Sequence, residues 1–294
     1  GTSTNLFWDA HPARYFDVGI AEGHGVTFAA GLATQGIRPV VAIYSTFLQR
    51  AFDSIVHDVA LQDLPVVFCM DRAGVAGEDG PTHHGAFDVA YMLAVPGMTV
   101  TAPRDGTELL GLLRAGVDHT SGPFSIRWPR DAVPAEVPPM AEVEAVPYGT
   151  WDVLREGRDL VILAVGTMVL PSLEAAQRLA SDGVSATVVN CRYLKPYDRA
   201  VFERVVAGHR AILTVEEASE TNGFGAFMAR EIDGFRQDVA PAVASMGMPD
   251  RFVEHGGRKE LLAEMGLDSD GIHAVALELA GRAEPRRSSA LESA

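Results

Sequence analysis

Short apolar, β-branched runs alternate with stretches of helical spacing, and this alternation constrains the chain more than any other feature. In the first half, strands are expected at 15–18, 40–44, 65–70, 98–102 and 124–127, with helices at 22–33, 47–61 and 105–117. In the second half, strands are expected at 160–165, 184–190, 211–215 and near 243, with helices at 168–180, 198–207, 224–232, 259–265 and 271–280. Buried runs joined by helices predict an α/β fold whose sheets are mostly parallel, with helices on both faces. Residues 128–150 interrupt the pattern with prolines at 129, 134, 138, 139 and 147 and no sustained period, as a linker draped over the surface would. The expected organisation is two doubly wound, mostly parallel-sheet domains, 1–127 and 151–294, with a frayed polar tail from 282. A chain of 294 residues has room for both.

Composition removes several function classes. With 24 basic and 39 acidic residues the formal charge is −15, which argues against a duplex nucleic-acid binder. A 47% hydrophobic, 21% charged chain is not disordered. No apolar run approaches the ~18 residues of a membrane span, and the first nine residues lack a basic start and an apolar signal core. Cys69 and Cys191 lie far apart in or beside apolar runs, so they read as buried thiols in a reducing cytoplasm.

In open parallel sheets, ligands gather beyond the carboxyl ends of the strands. Glu22 opens a helix rich in Gly and Ala; it is either a first-turn carboxylate complementing the helix dipole or a buried group for a cofactor ring. The run from Tyr44 to Arg50 puts an aromatic, two hydroxyls and a guanidinium on one strand-to-helix turn, which suits a flat ligand or serves as an ordinary helix cap. From Asp71 to Gly85, glycines at 74, 77, 80 and 85 surround Asp79, His83 and His84. That stretch reads as a mobile loop dense in proton-transfer groups. Adjacent histidines without a nearby cysteine lack the usual spacing of a zinc site, so no metal ligands are assigned. Arg127 ends a strand, where it could hold an anion or simply face solvent. Glu216 and Glu217 read as a loop and helix start without catalytic role.

Taken together, Gly19-Ile20-Ala21-Glu22, the run Tyr44 to Asp53, Asp71-Arg72-Ala73-Gly74 through Thr82-His83, Ile126 to Arg130 and Val189 to Pro196 resemble the 1-deoxy-D-xylulose-5-phosphate synthases. These belong to the transketolase-like thiamine diphosphate enzymes. The resemblance runs from about residue 14 to about residue 280 and implies a pyrimidine-binding domain followed by a transketolase-type carboxy-terminal domain. It implies condensation of pyruvate with glyceraldehyde 3-phosphate and release of carbon dioxide, feeding isoprenoid, thiamine and pyridoxal synthesis. Carried over by position, Glu22 would hydrogen-bond the aminopyrimidine, Phe47 would stack on it and Ile20 would line the same pocket. Tyr44, Arg50, Asp79 and His83 would face the substrates, with His83 and Asp79 in proton transfer. Arg72 and Arg127 would hold the phosphate of the acceptor.

The departures set further expectations. Such synthases are considerably longer, and the Gly-Asp-Gly motif that binds magnesium and the diphosphate is not found here. Gly77-Glu78-Asp79-Gly80 lacks its context. The implied Mg2+ ligands therefore lie on an amino-terminal domain or subunit, and this chain alone is expected to be inactive and to bind the cofactor poorly. A homodimer or a heterotetramer is expected, with no nucleic acid and no membrane. Gly23 and Gly25 stand where the family carries larger residues. Two alternatives remain at this level: a 2-oxo acid dehydrogenase β-subunit-like protein, and a non-catalytic subunit docking on a full-length synthase.

Overall fold

The computed structural model describes residues 4–133, 135–235 and 240–283. Pro134 of the linker and the tail beyond 283 lie outside the described residues. Strands β1 (Val40–Tyr44), β2 (Val67–Asp71), β3 (Thr99–Thr101) and β4 (Phe124–Arg127) run parallel in the order β1-β2-β4-β3. Val67, Phe68, Cys69 and Met70 of β2 are all buried, as expected where helices cover both faces of a parallel sheet. The helices of this half are α1 (Asn5–Ala10), α2 (Glu22–Thr34), α3 (Ser45–Leu48), α4 (Phe52–Ser54), α5 (Asp88–Ala94) and α6 (Gly106–Asp118); α1 lies outside the sheet layers, with none of its residues buried. In α2, Val26, Ala29, Ala30 and Ala33 are buried at helical spacing. Asp105 caps α6 by accepting the Glu108 N–H at 2.8 Å.

The second half contributes β5 (Asp152–Arg155), β6 (Leu160–Ala164), β7 (Ala186–Asn190), β8 (Tyr193–Lys195), β9 (Ala211–Ser219) and β10 (Ala242–Met248). Its sheet has the order β10-β9-β6-β7-β5, parallel except for the β5–β7 pair. Helices α7 (Val169–Ser181), α8 (Arg199–Gly208), α9 (Phe224–Gly234), α10 (Arg258–Glu264) and α11 (Ser269–Arg282) accompany it. Strand β8 crosses over and pairs antiparallel with β3, so the second half supplies the last strand of the first sheet. The expected class, α/β with two doubly wound and mostly parallel sheets, is the observed one.

Several local expectations are corrected. Residues 15–18 form no strand: β1 is the edge of its sheet, and no neighbour pairs with the segment. The helix expected over 47–61 is broken into α3, a 3-10 turn Gln49–Ala51, α4, a π turn Ile55–Val59 and a 3-10 turn Ala60–Gln62. Buried Ala51, Ile55 and Val59 recur every four residues, which drifts by about 40° per step from a regular helix face. The wider π turn keeps them on the core side. Glu216 and Glu217 lie inside β9, fully buried, and not in a loop. The 73–85 loop is solvated only at its tip: Glu78, Asp79, Pro81 and Thr82 are exposed, whereas Ala73, Val75, Ala76 and His84 are buried. Gly74 and Gly85 exchange backbone hydrogen bonds at 2.8 and 2.7 Å, closing its base.

Candidate active site

The parallel register brings the carboxyl ends of β1, β2 and β4 to one edge. Tyr44 lies beside Asp71, and Met70 beside Arg127. Next in sequence, Arg72 takes a left-handed backbone (φ 59°), turns its guanidinium onto the Tyr44 ring at 3.9 Å and pairs with Asp71. Its buried Nε–H has no hydrogen-bond partner among the described residues. Tyr44 stacks on Phe47 with centroids 5.4 Å apart, and His83 meets the Phe47 ring edge-on at 5.2 Å. Arg50 lies 5.0 Å from the centre of the Phe47 ring and donates from Nη1 to Glu22 Oε1 at 2.7 Å. Glu22 is buried at the first turn of α2, whereas Arg50 is exposed. Contacts therefore run without a break from Arg72 through Tyr44 and Phe47 to His83 on one side and to Arg50 and Glu22 on the other.

Other expected residues stand apart from this cluster. Ile20, next to Gly19 (φ 65°), is 93% exposed. Asp79 is exposed, and its carboxylate lies 3.4 Å from Arg130 Nη1. Arg127 is buried and committed elsewhere: Nε donates to Asp88 Oδ2 and Nη2 to the Glu217 carbonyl, both at 2.9 Å. It joins α5 and β9 across the two halves and faces away from open surface. His84 is also structural, since its Nδ1 accepts the Ala76 N–H at 2.9 Å.

Beneath the loop lies a polar group of residues not assigned from the sequence. Glu217 accepts the Val75 N–H at 2.7 Å and the Thr167 hydroxyl at 3.1 Å, and pairs with Arg258. Glu216 accepts the N–H groups of Phe224 and Gly225, at 2.9 and 2.7 Å, at the start of α9. Burial pushes its carboxyl up to about 7, outweighing those two donors and the nearby Arg127 charge. The strand-end rule that picked out Asp71 and Arg127 applies equally to these acids at the carboxyl end of β9. Among the described residues no group of three or more His, Cys, Asp or Glu is arranged to hold a metal ion. No described helix is long and apolar enough to cross a membrane.

Comparison with known proteins agrees with this architecture. Residues 1–136 match the family model of the transketolase pyrimidine binding domain and residues 149–272 that of the transketolase C-terminal domain. The chain is 51% identical over 274 residues to the 1-deoxy-D-xylulose-5-phosphate synthase of Gloeobacter violaceus, covering 92% of this chain and 42% of that one. It is 49% identical over 275 residues to 1-deoxy-D-xylulose-5-phosphate synthase 1 of Geobacter sulfurreducens, covering 94% and 43%. Among solved structures it is similar to one described as a split gene transketolase, inactive beta4 tetramer. That match has a TM-score of 0.84 at 30% identity and covers 96% of this chain and 90% of that one. A transketolase mutant from Pichia stipitis, at 20% identity and a TM-score of 0.75, covers 91% and 38% and shares the fold. The chain spans under half the length of the curated relatives it matches. With both domain types in order and this identity along nearly its whole length, the chain belongs to the transketolase family and corresponds within it to the carboxy-terminal part of the 1-deoxy-D-xylulose-5-phosphate synthases.

Proposed function

We propose that this chain is the pyrimidine-side part of a thiamine diphosphate-dependent synthase that joins pyruvate to glyceraldehyde 3-phosphate with loss of carbon dioxide. The observation that carries the reading is the Arg50 contact. A planar group bearing N–H donors lies against Phe47 and donates to the buried Glu22 carboxylate. An aminopyrimidine needs the same two partners in the same relation, so Glu22 and Phe47 fit it. When bound, thiamine diphosphate supplies a carbon nucleophile at its thiazolium ring.

The chain's own residues divide the remaining work. Glu22 accepts a ring N–H and fixes its protonation state, while Phe47 sets the plane of the ring. Arg50 is released from Glu22 as the cofactor enters and turns its exposed guanidinium toward the carboxylate of pyruvate. Arg72, beside Tyr44 at the same strand edge, is assigned the acceptor's phosphate, which its guanidinium would hold in a forked contact once it turns from Asp71. His83, against the edge of Phe47, gives a proton to the acceptor's carbonyl oxygen as that oxygen becomes a hydroxyl, with Asp79 in support. In this reading Arg127 supports the loop and the domain contact rather than the phosphate, and Ile20 meets the cofactor only once a neighbouring domain covers it.

Magnesium finds no fitting donor set among the described residues. Its ligands and the diphosphate contacts are assigned to an amino-terminal domain or subunit, in a homodimer or heterotetramer. We divide the chain into domains 1–127 and 151–294 joined by 128–150, in keeping with the two family matches. The isolated chain is expected to be inactive, as the split-gene relative is described to be. The test mixes this chain with the amino-terminal part of the Gloeobacter violaceus synthase, the cofactor, Mg2+, pyruvate and glyceraldehyde 3-phosphate. Product should appear only in the mixture, and Glu22→Gln should lower kcat by at least about 100-fold without unfolding the chain. Full activity in Glu22→Gln would refute the reading.

A further inference from the structure

We propose that Glu217 and Arg258, both from the second half, are positioning residues for the 73–85 loop and so for His83 and Asp79. The proposal rests on the reading of that loop as the proton-transfer side of the site. The two ends of the loop are held by the first half, through the Gly74–Gly85 backbone pair. Its middle is held by the second half. Glu217 Oε1 accepts the Val75 N–H at 2.7 Å, and Arg258 Nη1 lies 3.4 Å from the Val75 carbonyl. The Arg258 guanidinium forks onto both Glu217 oxygens, with Nη2 to Oε2 at 2.8 Å, and its Nε reaches Asp131 at 2.9 Å. Beside them the Gly256 N–H points at the Gly77 carbonyl at 3.4 Å, and His84 Nε2 lies 3.3 Å from the Glu254 carbonyl.

Two glycines show how closely the surfaces meet. A Cβ on Gly74 (φ 74°) would run into the Glu217 carboxylate, and one on Gly80 would lie 3.1 Å from His255 Cβ. An apolar contact could bury the same surface, but a forked pair also fixes the loop's distance and rotation. A buried ion pair gains little stability over apolar packing, so its value here lies in geometry. The Glu217 main chain is itself anchored, because its carbonyl accepts from Arg127. Among the described residues, no hydrogen bond or ion pair of Glu217 or Arg258 reaches the Tyr44–Phe47 cluster. Their influence on chemistry passes through the loop.

The test uses Glu217→Gln, Arg258→Gln and the double variant, read by amide hydrogen exchange on this chain. Each single variant should speed exchange at residues 75–84 by about tenfold or more, while β6 and β7 stay within about twofold. Because the pair acts as one link, the double variant should be no faster than the faster single one. In the assembled enzyme the same variants should lower kcat/KM for the aldehyde about tenfold and leave the KM for thiamine diphosphate unchanged. If Glu217→Gln fails to fold, Arg258→Lys, which keeps the charge and loses the fork, decides on the same criteria. Unchanged loop exchange, or equal acceleration in β6 and β7, overturns the proposal. So does a loosened loop with unchanged turnover. If the parent assembly makes no product, the synthase reading fails, and the exchange data still decide whether the pair positions the loop.

Discussion

Replacing Glu216 by Gln should change how the stability of this chain depends on pH, by an amount the structure sets. The Glu216 carboxyl is fully buried, and burial raises its pKa from 4.5 to about 7. The unfolded chain then releases the proton near 4.5 and the folded chain holds it until about 7, so folding binds a proton between those values. The group's stabilising share is complete below 4.5 and is lost as pH rises through 7. Across that window the shift is worth about 3 kcal/mol. Between pH 5 and pH 8, linkage leaves about 2–3 kcal/mol of it. A glutamine carries no proton, so the other carboxylates cancel when parent and variant are compared at each pH. Urea unfolding followed by tryptophan fluorescence should show the stability difference moving about 2–3 kcal/mol toward the variant from pH 5 to pH 8. A difference flat to about 0.5 kcal/mol, or one moving toward the parent, would mean that the two α9 N–H donors and Arg127 hold the carboxylate ionised despite its burial.

Asp88→Asn should destabilise the chain by about 3–5 kcal/mol in the same assay, because it strands the buried Arg127 guanidinium. Arg127→Met combined with Asp88→Leu should recover much of that loss. Cys69, whose thiol burial pushes up to about 12, and Cys191, which burial also holds well above the usual thiol range, should both resist a disulfide exchange reagent in the native chain. Both should react once urea is added, and rapid native labelling of either would contradict its buried placement.

Much of the fold can be read from the sequence because strand and helix periods are local. The run 67–70 is apolar throughout, and α2 shows its buried face at ordinary helical spacing. What stays hidden depends on partners distant in the chain. Residues 15–18 have strand-like composition but no neighbouring strand, and Tyr193–Lys195 becomes a strand only because β3 offers an open edge. The aromatic and charged cluster from Tyr44 to Arg50 could be identified because it sits on one turn. Arg127 shows the limit of that reasoning. A strand-end arginine looks ready for an anion, and only the packing of α5 beneath it reveals Asp88 as its partner. Glu217 was obscured in the same way, since its meaning comes from Val75 and Arg258, 142 and 41 residues distant.

The excursion of β8 into the first sheet also bears on how the chain is made. Val100 and Thr101 pair with Lys195 and Tyr193, which leave the ribosome long after β4 has been synthesised. At about 5–20 residues per second, the edge of β3 stays open for several seconds on a growing chain. An unpaired edge of that kind is a template for pairing with another nascent chain. The first half therefore closes its sheet only when about the first third of the second half has emerged, and a chimera spliced within 128–150 must inherit a compatible β8 along with its new second half.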